Sequence, residues 1–163
     1  MKTTRATYRT HSVLLAIGRR GTPRKLGVSG EELPKVVYRL IDPEQYQGQN
    51  VLIVGGGNSA LEAAASVAEN GGRNVVLSYR GEAFGAANQA NRQRVTAASQ
   101  SGNLKIMLKS NVQCILAEAV VIAQEGREFQ INNDAVIVNA GGVLPTDFLR
   151  RVGINVEAKF GTA

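Results

Sequence analysis

Apolar residues fall along this chain in short runs separated by glycine-rich breaks, and the runs are of two kinds. Some are apolar at nearly every position: Ser12-Val13-Leu14-Leu15-Ala16-Ile17, Asn50-Val51-Leu52-Ile53-Val54, Asn74-Val75-Val76-Leu77-Ser78 and Asp134 to Val138. Such runs, bounded by turn signals, read as strands covered on both faces, the situation of a parallel sheet flanked by other layers. Ala6 to Thr10 and Leu104 to Leu108 also read as strands. Val112 to Leu116, Ala119 to Gln124 and Glu128 to Ile131 read instead as a small antiparallel meander, with Glu125-Gly126 as a turn. Between two of the buried runs lies Ala60 to Asn70, rich in strong helix formers and stopped by Asn70-Gly71-Gly72. Residues 50–78 therefore read as a β–α–β unit with a right-handed crossover. Arg92 to Gln100 and Asp147 to Gly153 read as short helices. Arg19 to Pro34 is irregular, with Glu31-Glu32 as a solvated turn, and looks like a connector between two structural units.

Composition narrows the picture. The 163 residues are 44% hydrophobic and 20% charged, a globular balance rather than a disordered one. The length suits one domain with appended pieces of another. Lys and Arg number 19 and Asp and Glu 13, a formal net charge of +6. That charge is spread from Arg5 to Lys159, aromatics are 5% and Trp is absent, which disfavours nucleic acid as a partner. A basic surface does suit a small anionic cofactor. No apolar run of about 20 residues is present, so no spanning helix and no membrane partner are expected. Met1-Lys2-Thr3-Thr4-Arg5 leads into polar sequence without the pattern of a signal peptide, and a cytoplasmic location is expected. Cys114 alone cannot make an internal disulfide or exchange one by itself, and its apolar neighbours make it a small buried hydrophobe. His11 has no ligand partner at metal spacing. G-x-S-x-G, H-E-x-x-H and C-x-x-C are all absent, so hydrolase, zinc-protease and dithiol readings lack support. No metal site and no catalytic acid or base are assigned.

Three segments carry candidate chemistry. Gly55-Gly56-Gly57-Asn58-Ser59-Ala60 matches G-x-G-x-x-G/A in its required setting, after a strand and at the start of a helix. Gly55 serves the tight turn, Gly57 lets the backbone approach a pyrophosphate, and Ala60 allows close helix–strand packing. Amides at the helix start then face the phosphates. A glycine-rich strand–helix turn that binds nothing has the same sequence. The second segment, Ser78-Tyr79-Arg80, ends the next strand, where an NAD site carries Asp or Glu for the ribose 2′-hydroxyl. No acid occurs there before Glu82, and Arg80 suits the 2′-phosphate of NADPH. Arg92 and Arg94 are candidates for a second positive group, or are solvated. The third segment is Ala140-Gly141-Gly142, running on to Pro145 after a buried strand, which reads equally as a ligand-facing edge or an ordinary turn. The fold class expected is α/β: a Rossmann-like three-layer dinucleotide-binding domain with a parallel sheet and an antiparallel meander.

These segments occur in the order seen in two-dinucleotide flavoprotein reductases. The chain resembles the pyridine-nucleotide-binding domain of a thioredoxin-reductase-like, FAD-dependent NAD(P)H oxidoreductase of the pyridine nucleotide-disulfide oxidoreductase superfamily. Leu15 to Pro23 is similar to the strand ending that leaves the FAD domain, and Asn139 to Pro145 resembles the return crossing. The likeness implies FAD-domain remnants at 1–26, an NAD(P)H-binding domain at 27–145 and a return segment at 146–163. It implies NADPH as the bound cofactor and FAD in the parent protein, with a hydride passed from one to the other. It also implies two partners: the missing FAD domain and an electron acceptor. A homodimer through apolar surface near Leu14 to Gly18 and Ala140 to Pro145 is a further expectation. The dithiol C-x-x-C of thioredoxin reductases is absent, and their His-Arg-Arg is replaced by Ser78-Tyr79-Arg80. Relatives without the dithiol, such as ferredoxin–NADP reductases of this type or bacillithiol-disulfide-reductase-like proteins, match better. No FAD fingerprint precedes Ser12, so the chain resembles an excised domain, inactive alone. The alternatives are a dinucleotide-sensing or structural domain without activity, and an independent NADP-dependent dehydrogenase, which lacks a Tyr/Lys or His/Asp constellation.

Overall fold

The computed structural model describes residues 2–16 and 22–157. They fall into two compact units, one of residues 23–143 and one combining residues up to Thr22 with those from Leu144 onward. Two-residue strands, β1 (Thr22–Pro23) and β10 (Gly142–Val143), mark the ends of the larger unit. There the Arg24 N–H donates to the Gly141 carbonyl at 3.0 Å.

Within the larger unit, β2 (Val36–Val37), β3 (Asn50–Val54), β4 (Asn74–Ser78), β5 (Leu104–Met107) and β9 (Ala135–Val138) form one parallel sheet in the order β2-β9-β3-β4-β5. Alternate residues of a strand point to opposite faces, and here both faces are covered. Val51, Ile53, Val75, Leu77 and Ile137 pack beneath α1 (Asn58–Glu69) and α2 (Gln89–Gln100). Leu52, Val76, Val136 and Val138 pack against Val112, Ile115, Val120 and Ile122 of the meander. The meander is β6 (Ser110–Ile115), β7 (Ala119–Gln124) and β8 (Arg127–Asn132), antiparallel throughout, with a bulge between Val112 and Cys114. Its β7–β8 turn takes positive φ at both Glu125 (51°) and Gly126 (76°), the hand that suits twisted strands. Helices, parallel sheet and meander are the three layers the sequence pattern predicts, in a Rossmann-type fold.

The differences have physical causes. Ala6 to Thr10 and Ser12 to Ala16 form no strand; an isolated bridge joins Lys2 and Thr7, and Leu14 is 92% exposed. An all-apolar strand needs a ladder and cover on both faces, and these residues have neither among the described residues. Ile17, the last residue of that predicted strand, lies outside them, as do Gly18 to Gly21. Strand β2 and a 3-10 helix at Pro43–Tyr46 fall where no element is predicted. In the smaller unit the tail helix is α3 (Thr146–Arg151).

Glu31 is no solvated turn. It is buried, and its carboxylate accepts the N–H groups of Leu26 (2.6 Å) and Gly27 (2.8 Å) and the Tyr38 hydroxyl (2.9 Å). Burial pushes its pKa up, but these donors and the charge of Lys25 outweigh burial and hold it below the usual value. Glu32 beside it is exposed. Among the described residues, no helix is long and apolar enough to cross a membrane.

Candidate functional site

The three candidate segments meet where β3, β4 and β9 end. The Gly55 N–H donates to the Ser78 carbonyl at 3.0 Å, and the Asn139 N–H donates to Val54 at 2.8 Å. The three glycines of the loop answer to different demands. Gly55 has φ +147°, and a Cβ there would strike the Asn139 carbonyl oxygen and approach the Ala60 methyl to 2.9 Å. Gly56 is required by a neighbour, because a Cβ would overlap the Tyr79 ring, itself stacked on Phe84 at 5.6 Å between centroids. Gly57 is required by nothing in the protein. Its φ of −93° and ψ of 179° are open to any residue, and no atom lies within 4 Å of an added Cβ.

Gly57 is also the N-cap of α1. Its carbonyl accepts from Ala60 (3.0 Å) and Leu61 (3.2 Å), no side chain caps the helix, and the first turn has no acid. The leading amides and the positive end of the helix dipole are left uncompensated. Ala60 is fully buried against Gly55, as close packing requires, while Ser59 is exposed. The open space over Gly57, beside amides that seek an acceptor, fits the pyrophosphate of a dinucleotide.

The remaining predicted residues divide. Arg80 is exposed and, among the described residues, has no side-chain partner. Since Val54 and Ser78 are paired across the ladder, it projects beyond the strand end beside the glycine loop. Arg92 is exposed on the first turns of α2, also without a side-chain partner. Asn58, from the glycine loop, accepts from the Asn88 N–H (2.8 Å) and from Asn91 Nδ2 (3.2 Å), which ties the start of α2 to the loop. Ala140 is half-buried against the meander-side core, Gly141 has φ +88°, and Gly142 is exposed.

Two residues are not brought to a ligand-facing position. Ser78 is fully buried, its Oγ 2.7 Å from Ser110 Oγ, so its side chain faces the interior. Arg94 donates from Nε to Glu69 Oε1 at 2.7 Å and from a terminal nitrogen to Ser66. That pairing, which lowers the Glu69 pKa and raises that of Arg94, sits at the last turn of α1. At 1.5 Å per residue it lies roughly 15 Å from the glycine loop. Tyr79 contributes its ring to packing. Asn139, Phe84, Asn88 and Asn91 were not singled out as site residues; only Asn139, directly before the predicted glycines, carried a positional signal. A 280 Å³ cleft lined by Val51, Asn74, Val76, Lys105 and Ile131 to Asn133 opens at the other ends of the strands, away from these groups.

The sequence profile of the pyridine nucleotide-disulphide oxidoreductase family matches residues 1–161. The chain is 30% identical over 159 residues to a ferredoxin–NADP reductase of Ignicoccus hospitalis, covering 93% of this chain and 50% of that protein. It is 28% identical over 163 residues to the bacilliredoxin reductase Bdr of Bacillus subtilis, covering 99% and 50%. The chain thus spans about half the length of the curated relatives it matches. Among solved structures, the bacillithiol disulfide reductase Bdr of Staphylococcus aureus superposes with a TM-score of 0.77 at 30% identity, over 83% of this chain and 42% of that one. The thioredoxin reductase of T. acidophilum shares the fold, with a TM-score of 0.72 at 24% identity, over 85% and 47%.

Proposed function

The chain belongs to the pyridine nucleotide-disulphide oxidoreductase family, and from that premise we propose that it is the NADPH-binding domain of a flavin-dependent oxidoreductase. When both cofactors are bound, the nicotinamide supplies a hydride and FAD accepts it. The chain's part is to bind and orient. The amides after Gly57 hold the pyrophosphate, and Arg80, with Arg92, takes the 2′-phosphate. The Ala140–Gly142 backbone lies at the same strand ends. The FAD domain is the proposed partner, with 1–26 and 146–163 as its adjoining segments; the electron acceptor is a redox protein or disulfide of the kind the relatives' names describe.

One observation carries this reading. Gly57 is a glycine the protein itself does not need, and the space it leaves open faces an uncapped helix start. The test is calorimetric titration of the chain with NADPH and NADH, followed by an absorbance scan and an NADPH-oxidation assay with and without FAD. Binding of NADPH in preference to NADH, no colour and no turnover are expected. Failure to bind either nucleotide overturns the reading. A stoichiometric yellow chromophore, or turnover by the chain alone, promotes the independent enzyme.

A further inference from the structure

The segment from Tyr79 to Asn88 is fastened to the glycine loop at both ends. At one end the Tyr79 ring lies over Gly56 and stacks on Phe84. At the other, Asn58 Oδ1 accepts from the Asn88 N–H and from Asn91 Nδ2. The Asn91 amide also donates to Glu62 Oε1 at 2.8 Å, and the Asn91 N–H donates to Asn88 Oδ1 at 2.8 Å, which caps α2. Asn91 is buried, at 9% exposure, although it lies in the first turn of a helix whose neighbouring residues are exposed.

The Asn58 side-chain oxygen therefore serves contacts within the protein. A side-chain carbonyl oxygen has two acceptor positions, and both are occupied by donors from α2. Two exposed arginines adjoin these fastenings: Arg80 next to Tyr79, and Arg92 next to Asn91. Arginine is long and loses rotamer freedom when it grips an anion, so its binding energy depends on where its backbone is held.

We infer that Asn58, Asn88 and Asn91 are positioning residues that fix the start of α2, and with it Arg92, to the glycine loop, and that this network, not the arginines alone, sets the discrimination between NADPH and NADH. The inference rests on the NADPH-binding reading above and goes beyond it. NADH has no 2′-phosphate and reads only the glycine loop. Releasing α2 should therefore weaken NADPH and spare NADH, whereas a merely structural role would weaken both.

The test is titration of wild type and Asn91→Ala with each nucleotide. Alanine keeps the helix propensity of the turn while removing both side-chain bonds. The NADPH:NADH affinity ratio should fall about 3- to 10-fold, the scale of one lost side-chain hydrogen bond, with NADH affinity nearly unchanged. Because Asn91 acts through Arg92, adding Arg92→Ala to Asn91→Ala should lower the ratio by less than Arg92→Ala does in wild type. Equal losses for the two nucleotides, an unchanged ratio, or fully additive effects overturn the inference. If Asn91→Ala melts without cooperativity, Asn91→Ser, which keeps a polar residue in the turn but falls short of Asn58 and Glu62, takes its place with the same outcomes. A wild-type chain that does not prefer NADPH overturns the nucleotide assignment instead, which is a separate result.

Discussion

The two ends of the parallel sheet are built from similar residues and behave in opposite ways. At the starts of the strands, polar groups answer one another. Asp134 Oδ2 accepts both the backbone N–H and the side-chain amide of Asn50, each at 2.7 Å. Asn74 Nδ2 donates to Asn50 Oδ1 at 2.6 Å, and Lys35 Nζ donates to the Asn133 carbonyl at 3.0 Å. One atom escapes: Asn133 Oδ1 is buried without a partner. At the ends of the strands the balance reverses. Among the described residues, the α1 amides have no capping side chain, Arg80 and Arg92 have no counter-charge, and no atom lies within 4 Å of a Cβ added at Gly57. Polar groups that satisfy each other hold the fold together, and the polar groups left without partners are where we propose that the nucleotide binds.

The adjacent glycines offer the largest way to break this contrast. Gly57→Val should cost about 100-fold or more in NADPH affinity, the scale of a misplaced ligand. A branched residue is a poorer N-cap than glycine, so its Tm should drop by only a few degrees. Gly56→Val forces a side chain into the Tyr79 ring and should destabilise by about 1–3 kcal/mol. Paired titrations and thermal melts check both; a Gly57 variant that binds normally would make the loop a plain turn. Next in size, Arg80→Ala should weaken NADPH more than NADH by about 1–3 kcal/mol, a lost charge-assisted bond, and equal losses would remove Arg80 from the 2′-phosphate. At the other end, Asp134→Ala should lower stability by about 1 kcal/mol without moving either affinity. A change in nucleotide binding there would erase the distinction between the ends.

The smallest effect is a pH dependence. The Glu31 pKa is lower in the folded chain than its ordinary 4.5. The unfolded chain therefore binds the proton more readily, and the stability Glu31 contributes is present above that ordinary value and lost as pH falls through the folded one. Glu31→Gln should melt lower than wild type at neutral pH, and the two curves should converge below pH 4.5. Parallel curves down to acid would mean that the carboxylate charge is not what holds Leu26 and Gly27.

Much of the fold was legible because burial on both faces leaves an unbroken apolar run. The bounds of β3, β4 and β7 follow directly from Asn50 to Val54, Asn74 to Ser78 and Ala119 to Gln124. Two residues cannot show a period, so β2 was invisible. The opening turn of α2 was hidden because Asn88 to Asn91 is polar and reads as loop. The glycine loop was legible as a pattern, but its division of labour was not. Nothing in Gly55-Gly56-Gly57 says that the middle residue lies under an aromatic ring from the next strand. Charge misled in both directions: Arg94 is claimed by Glu69 and Glu31 by backbone amides, contacts between residues distant in sequence or folded back by a turn. Ser78 ends a strand covered on both faces, so its side chain is buried whichever way it points.

The sheet order carries a consequence for the birth of the protein. Strand β9 lies between β2 and β3, yet its contact with β3 spans 84 residues, from Asn50 to Asp134. Chains emerge N-terminus first. While one is being synthesised, β2 has no neighbour at all and β3 shows a bare edge, whereas β6, β7 and β8 are consecutive and zip up locally. Docking β9 closes that gap together with the still longer one to β2, where Val36 pairs with Val136, and such separations carry the largest loop-closure cost. Until β9 docks, β3 presents an unpaired apolar edge of Val51, Leu52 and Ile53, the kind of edge that pairs with other chains.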